Sequence, residues 1–115
     1  MKIDFRYKDD VVIISVSGGT VINEERISLA DTIATQVKVG YLKVILKFEK
    51  VEVIDAVVMG GIAFLRQLLM AQGGDVVLAE VSSSIRGMVR ITTLCEVIVE
   101  FDSEKEALAH FTKEG

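Results

Sequence analysis

The chain is poor in the residues from which reactive centres are usually built. Among its 115 residues there is one cysteine, Cys95, and one histidine, His110. A single thiol excludes an internal disulfide and any multi-cysteine metal site. Cys95 also lacks a histidine or a paired basic residue nearby, so a buried or half-buried thiol is expected rather than a nucleophile. His110, between Ala109 and Phe111, has no companion at ligand spacing, so a surface histidine on the last helix is expected. Basic charge is scarce as well: 13 Lys and Arg stand against 17 Asp and Glu, for a net charge of −4. That leaves no electrostatic footprint for nucleic acid or for an anionic membrane. No apolar run approaches the ~18 residues that span a bilayer, so direct membrane insertion is not expected. The start of the chain enters a strand pattern rather than a basic, apolar and small-residue leader, which makes the cytoplasm the expected location. Gly18-Gly19 and Gly60-Gly61 lack the spacing of phosphate or dinucleotide loops. No constellation of nucleophile, base and oxyanion donor is readable either. Neither a cofactor nor an enzymatic activity is expected.

What the chain does have is hydrophobic residues, half of the total. In 115 residues that fits one compact domain, residues 1–115, with its own core. Lys2–Tyr7 and Val11–Ser17 are β-rich runs joined by the polar Lys8-Asp9-Asp10, a hairpin pattern, and Gly18-Gly19-Thr20 breaks the second run. Asn23 is placed to cap a helix with Glu24 and Glu25 in its first turn, Lys38 in its last and Gly40 behind it. Ile27, Ala30, Ile33, Ala34 and Val37 give that helix its apolar stripe.

From Lys43 to Val81 the pattern is strand, short loop, helix, Gly-Gly, strand: KVILKF, EKVEVID, AVVMGGIAFLRQLLMAQ, GG and DVVLAEV. A covering helix between two such strands forms a right-handed βαβ crossover. Ser82–Ile91 then reads as a short helix and Glu96–Phe101 as the last strand. Ser103-Glu104-Lys105-Glu106 is a capping box that opens a terminal helix with Ala107, Leu108 and Phe111 inward. The expected order is β-β-α-β-α-β-α-β-α.

In a sheet covered equally on both faces the strands would be continuous apolar runs. Here Val44, Leu46 and Phe48 alternate with Lys43, Ile45 and Lys47, and Val97, Val99 and Phe101 alternate with Glu96, Ile98 and Glu100. The expected fold is therefore α/β, a mixed sheet of about five strands with an N-terminal hairpin, parallel crossovers and helices mainly on one face.

The junction VIDAVVMGG is the chemically suggestive point. Asp55 can accept from the first free amides of the helix Ala56–Gln72, at an end that carries partial positive charge. Such a tip commonly hosts an anion or a phosphorylatable hydroxyl, yet Ala56, Val57 and Val58 follow. On the helix, Val58, Ile62, Leu65 and Leu69 form a core stripe, while Met59, Phe64 and Met70 lie off it. Taken alone, burial explains these three residues best; a partner-facing patch is the other reading. Ser82, Ser83 and Ser84 are best read as capping residues. Thr92 and Thr93 read as a polar turn, with modification in a sensory assembly the weaker alternative.

At this junction the chain resembles a STAS domain, the family of anti-sigma factor antagonists and of cytoplasmic domains on sulfate transporters. The opening hairpin, Gly18, the strand Lys43–Phe48, Val53-Ile54-Asp55, Gly60 and Gly73-Gly74 carry the resemblance. So does the tail, Phe101-Asp102-Ser103 followed by Glu106-Ala107-Leu108, so that essentially the whole chain is covered. Antagonists of this family have Asp-Ser-Ser-Gly or Asp-Ser-Thr-Gly at the junction, with one hydroxyl phosphorylated by the partner kinase. In this chain the run is Asp55-Ala56-Val57-Val58, so the resemblance puts Val57, which cannot be phosphorylated, at the acceptor position. The family's Gly-Glu-Leu-Asp is here Gly18-Gly19-Thr20-Val21.

By this resemblance the partner is a protein, an anti-sigma factor or related regulator, and a homodimer is a further form the module can take. The implied docking surface comprises Gly18, Gly19, Thr20, Val21 and Asn23 together with Asp55, Ala56, Val57, Val58, Met59 and Gly60. The implied function is regulation by protein binding, independent of phosphate at the usual serine. The alternative is a STAS subunit of a larger assembly, either a sensory complex or the partner of a lipid-transport ATPase. A small flavodoxin-like enzyme has only the fold class in its favour.

Overall fold

The computed structural model describes residues 2–21, 24–54, 56–91 and 98–112. The expectations for Asn23, Asp55, Thr92, Thr93 and Cys95 lie outside these residues. The elements are β1 (Lys2–Lys8), β2 (Val11–Val21), α1 (Glu24–Lys38), β3 (Lys43–Ile54), α2 (Ala56–Met70), β4 (Asp75–Ala79), α3 (Ser83–Ile91), β5 (Glu100–Phe101) and α4 (Glu104–Thr112). The five strands lie in the spatial order β1-β2-β3-β4-β5. β1 and β2 are antiparallel, and every later pair is parallel. Element order and sheet type are those read from the sequence. At the hairpin turn Asp9 takes φ 55°, a left-handed conformation that aspartate tolerates better than most residues.

Alternation along the strands divides the core between two faces. Val12, Ile14, Val44, Leu46, Phe48, Val76 and Leu78 face Leu29 and Ile33 of α1, Val58, Met59, Ile62 and Leu69 of α2, and Ile85 and Val89 of α3. On the reverse face Val11, Ile13, Ile45, Val77 and Ala79 pack against Ala107 and Phe111 of α4. Three helices thus lie on one side and α4 alone on the other.

Two strands run further than their sequences indicate. β2 passes through Gly18-Gly19-Thr20 to Val21, and β3 passes Phe48 to reach Ile54. The charged stretch Glu49–Glu52 looks like a loop because its alternation is out of phase. Phe48 and Val51, three residues apart, are both fully buried in the same cluster. Register shifts between Ser15 and Thr20 absorb the phase change as β-bulges, which keep the strands paired. On α1 the buried line is Leu29, Ile33 and Gln36, whereas Ala34 is exposed and Val37 half-buried. The Gln36 side-chain oxygen accepts a 2.8 Å hydrogen bond from the Tyr7 hydroxyl, so the buried amide is not left unpaired.

α2 ends at Met70, two residues earlier than expected, and closes with the Gly74 amide donating to the Leu69 carbonyl at 2.8 Å. A side chain at position 74 is excluded, because a Cβ there would lie 2.1 Å from the Leu42 carbonyl oxygen. Asp75 begins β4 and is almost fully buried. Its carboxylate accepts from Arg66 of α2 at 2.8 Å and from the Val76 amide at 2.8 Å, and lies 3.2 Å from His110 Nε2 of α4. His110 is therefore half-buried between α4 and the sheet rather than a surface residue, its ring 5.3 Å from that of Phe101.

The start of α4 is held by charge. Ser103 Oγ accepts from the Glu106 amide at 3.2 Å, as the capping pattern requires, and the Glu80 carboxylate accepts from the Glu104 amide at 3.0 Å. The Glu104 carboxylate accepts from Arg6 of β1 and, at 3.3 Å, from Lys47 of β3. Burial opposes ionisation of Glu104, but Arg6 and Lys47 together outweigh it and hold its pKa below the ordinary 4.5. A depressed carboxylate pKa stabilises the fold above the unfolded-state value and ceases to do so as pH falls through the folded one. The advantage of the parent chain over Glu104→Gln should thus be about 1 kcal/mol at neutral pH. It should shrink below pH 4.5, a trend that urea unfolding at several pH values would measure.

Candidate functional site

The parallel pairing of β2 with β3 assembles the two segments that the sequence singles out. Gly19 pairs with Val51, Thr20 with Val53 and Val21 with Ile54. The chain leaves both strands at one edge of the sheet and enters α1 at Glu24 and α2 at Ala56. α3 joins the same edge: Ser82 Oγ donates to the Val51 carbonyl at 2.8 Å and accepts from the Ile85 amide at 3.4 Å. Ser82 is thus the cap expected of it, and Ser83 and Ser84 are exposed. Gly18 lies exposed within the bulged end of β2 at φ 130°, a conformation closed to most side chains.

At the start of α2 the structure separates the candidates. Val58 is 4% and Met59 0% exposed. Both belong to the core, which corrects the expectation that they present themselves to a partner. Gly60 and Gly61 are exposed, and a Cβ built on either would meet nothing within 4 Å. One turn further along, Phe64 is 63% exposed and Leu68 48%. Positions 60, 61, 64 and 68 fall on one helical face, so α2 shows solvent a glycine step followed by a bare apolar strip. Met70 is also exposed, but on another arc of the helix. Neither Gly61 nor Leu68 is assigned to a binding surface from the sequence, although their spacing from Gly60 and Phe64 is the available signal.

The described part of this end of the sheet presents backbone, glycine, hydrocarbon and the hydroxyls of Ser82, Ser83 and Ser84. Among the described residues no group of three or more His, Cys, Asp or Glu is placed to hold a metal ion. No helix among them is long and apolar enough to cross a membrane. Two described charged clusters, Arg66–Asp75–His110 and Arg6–Glu104–Lys47, join α2 or the sheet to α4.

The same architecture recurs in solved structures. A crystal structure of a putative anti-sigma factor antagonist from Thermotoga maritima is 24% identical with a TM-score of 0.78, over 94% of this chain and 92% of that one. The anti-sigma factor antagonist SpoIIAA in its unphosphorylated form is 18% identical with a TM-score of 0.79, over 97% of each chain. A sulfate transporter family protein from Wolinella succinogenes is 22% identical with a TM-score of 0.68, over 90% of this chain and 86% of that one. No curated protein matches the sequence. The family model described as STAS domain matches residues 2–107, nearly the full length, and the chain belongs to the STAS domain family.

Proposed function

We propose that the chain is a regulatory protein-binding module of the anti-sigma factor antagonist type, acting in the cytoplasm by docking rather than by catalysis. The observation that carries this reading is the exposed strip Gly60, Gly61, Phe64 and Leu68, which begins at the shared edge of β2, β3 and α2. Apolar groups of this size in a continuous exposed line favour a protein partner. The proposed surface also takes in Gly18, Gly19, Thr20, Val21, Asn23, Asp55, Ala56 and Val57. Val58 and Met59 support it from beneath.

No hydroxyl occurs from Asp55 through Gly61. A phosphate there would add roughly −1.5 to −2 charge and release a partner by repulsion and desolvation. Without an acceptor, binding is not switched off at this position. Incubation with an anti-sigma kinase and ATP, followed by peptide mass spectrometry, should find no phosphate on the peptide containing Asp55–Gly61, with partner affinity unchanged. Phosphate on Ser82, Ser83, Ser84, Thr92 or Thr93 that lowers affinity would show that switching has moved elsewhere. A second reading, a subunit of a larger STAS assembly, draws on Met70, an exposed apolar residue outside the strip. Purification of the chain from its native cytoplasm with a permease or sensory complex attached would favour it.

A further inference from the structure

β1 is one of the two edge strands of the sheet and, among the described residues, pairs with β2 alone. Its residues are exposed throughout, except for the half-buried Ile3. Ile3, Phe5 and Tyr7 stand opposite Val16, Ile14 and Val12 and so share the face of α1, α2 and α3. Phe5 is 46% and Tyr7 49% exposed. Lys2, Asp4, Arg6 and Lys8 occupy the other face, the one covered by α4. An open edge of this kind is a template for strand addition, and proteins commonly guard such edges with like-signed charge. In β1 the charge is mixed: the acidic Asp4 stands between the basic Lys2 and Arg6, with Lys8 beyond.

We propose that β1 pairs antiparallel with β1 of a second copy of the chain, joining the two sheets across a two-fold axis at Phe5. Symmetry restricts the register. A two-fold axis normal to the sheet keeps each face on its own side, so odd positions oppose odd and even oppose even. An axis at Asp4 would set Asp4 against its own copy and Lys2 against Arg6. An axis at Arg6 would set that arginine against its own copy at the centre of the seam.

An axis at Phe5 places Asp4 opposite Arg6 on both sides of the centre, Phe5 opposite Phe5, and Ile3 opposite Tyr7. Opposite charges and aromatic–aliphatic neighbours are the pairs that stabilise adjacent strands. Lys2 and Lys8, the remaining like-charged pair, oppose each other at the two ends of the ladder, where solvent screens them. Arg6 already donates to Glu104, and its five N–H donors leave it able to hold Asp4 of the second copy as well. Tyr7 is pre-oriented for the seam by its hydrogen bond to Gln36 and by the Tyr41 ring 4.7 Å away. This seam runs along β1 and contains none of the residues of the α2 strip.

The test is a charge exchange read by sedimentation equilibrium up to about 1 mM protein, the weak end of the affinity scale. The parent chain should self-associate to a dimer. Asp4→Arg alone sets arginine against arginine, Arg6→Asp alone sets carboxylate against carboxylate, and each should weaken the dimer at least tenfold. Mixed in equal amounts, the two variants should recover the dimer, because positions 4 and 6 then oppose charges of opposite sign on both sides of the axis. Phe5→Glu, which brings two carboxylates together on the axis without touching the Arg6–Glu104 pair, should also be monomeric while retaining the parent's circular dichroism. A monomeric parent chain throughout the concentration range, single variants that dimerise like the parent, or a mixture that stays monomeric would each overturn the proposal.

Discussion

Met59→Asp should unfold the chain, whereas Phe64→Asp, five residues along the same helix, should leave it folded. Met59 is fully enclosed between α2 and the sheet. Truncating such a side chain costs about 2–5 kcal/mol. A carboxylate buried there without a partner adds several more. Together these approach the ~5–15 kcal/mol by which a domain is stable at all. Phe64 is mostly in water, and surface substitutions usually stay within about 0.5 kcal/mol. Circular dichroism and urea titration of the two variants would separate them at once. A folded Met59→Asp protein with near-parent stability would show that the start of α2 is not the packed element described here.

Asp75→Ala should be the second most damaging change. The Asp75 carboxylate ties Arg66 of α2 to His110 of α4 around the end of β4, and it also accepts from the Val76 amide. Removing one member of a buried ion pair costs about 3–5 kcal/mol, since the remaining charge keeps its burial and loses its compensation. Arg66 retains some solvent contact, so about 3 kcal/mol is expected. Asp75→Asn, which keeps an acceptor for Arg66 and the Val76 amide, should lose less. Urea midpoints at unchanged m-value report this directly, and a loss below about 1 kcal/mol for Asp75→Ala would mean that the three groups are not coupled.

These two positions also show where sequence reading succeeds and where it stops. Element order, the hairpin, the crossover through α2 and the edge that gathers the tip were legible, since they rest on local periodicity, turn residues and chain connectivity. Met59 and Met70 were not separable. They lie about three turns apart on nearly the same arc of α2, yet the first is covered and the second is 52% exposed. Periodicity reports which arc of a helix is apolar, not how far along it a neighbour extends. His110 was misread for a related reason: the carboxylate that faces it is 35 residues away in sequence. Glu49–Glu52 hid a strand because bulges shift the alternation without ending the pairing. Leu68 needed only the step from Phe64, but nothing in the sequence marks an apolar residue as one that stays in water.

On the function proposed above, the tip and the exposed face of α2 form the recognition surface and need no phosphate switch. The most direct measurement is the affinity of the purified chain for its cognate anti-sigma factor by titration calorimetry, with and without ATP, beside Phe64→Asp and Val57→Asp. The parent chain should bind equally well in both conditions. Phe64→Asp should stay folded, and each variant should bind at least about tenfold more weakly, the loss of ~1.4 kcal/mol or more expected of an interface anchor. If both variants bind as tightly as the parent chain, this face is not the recognition surface, and the assembly-subunit reading takes its place.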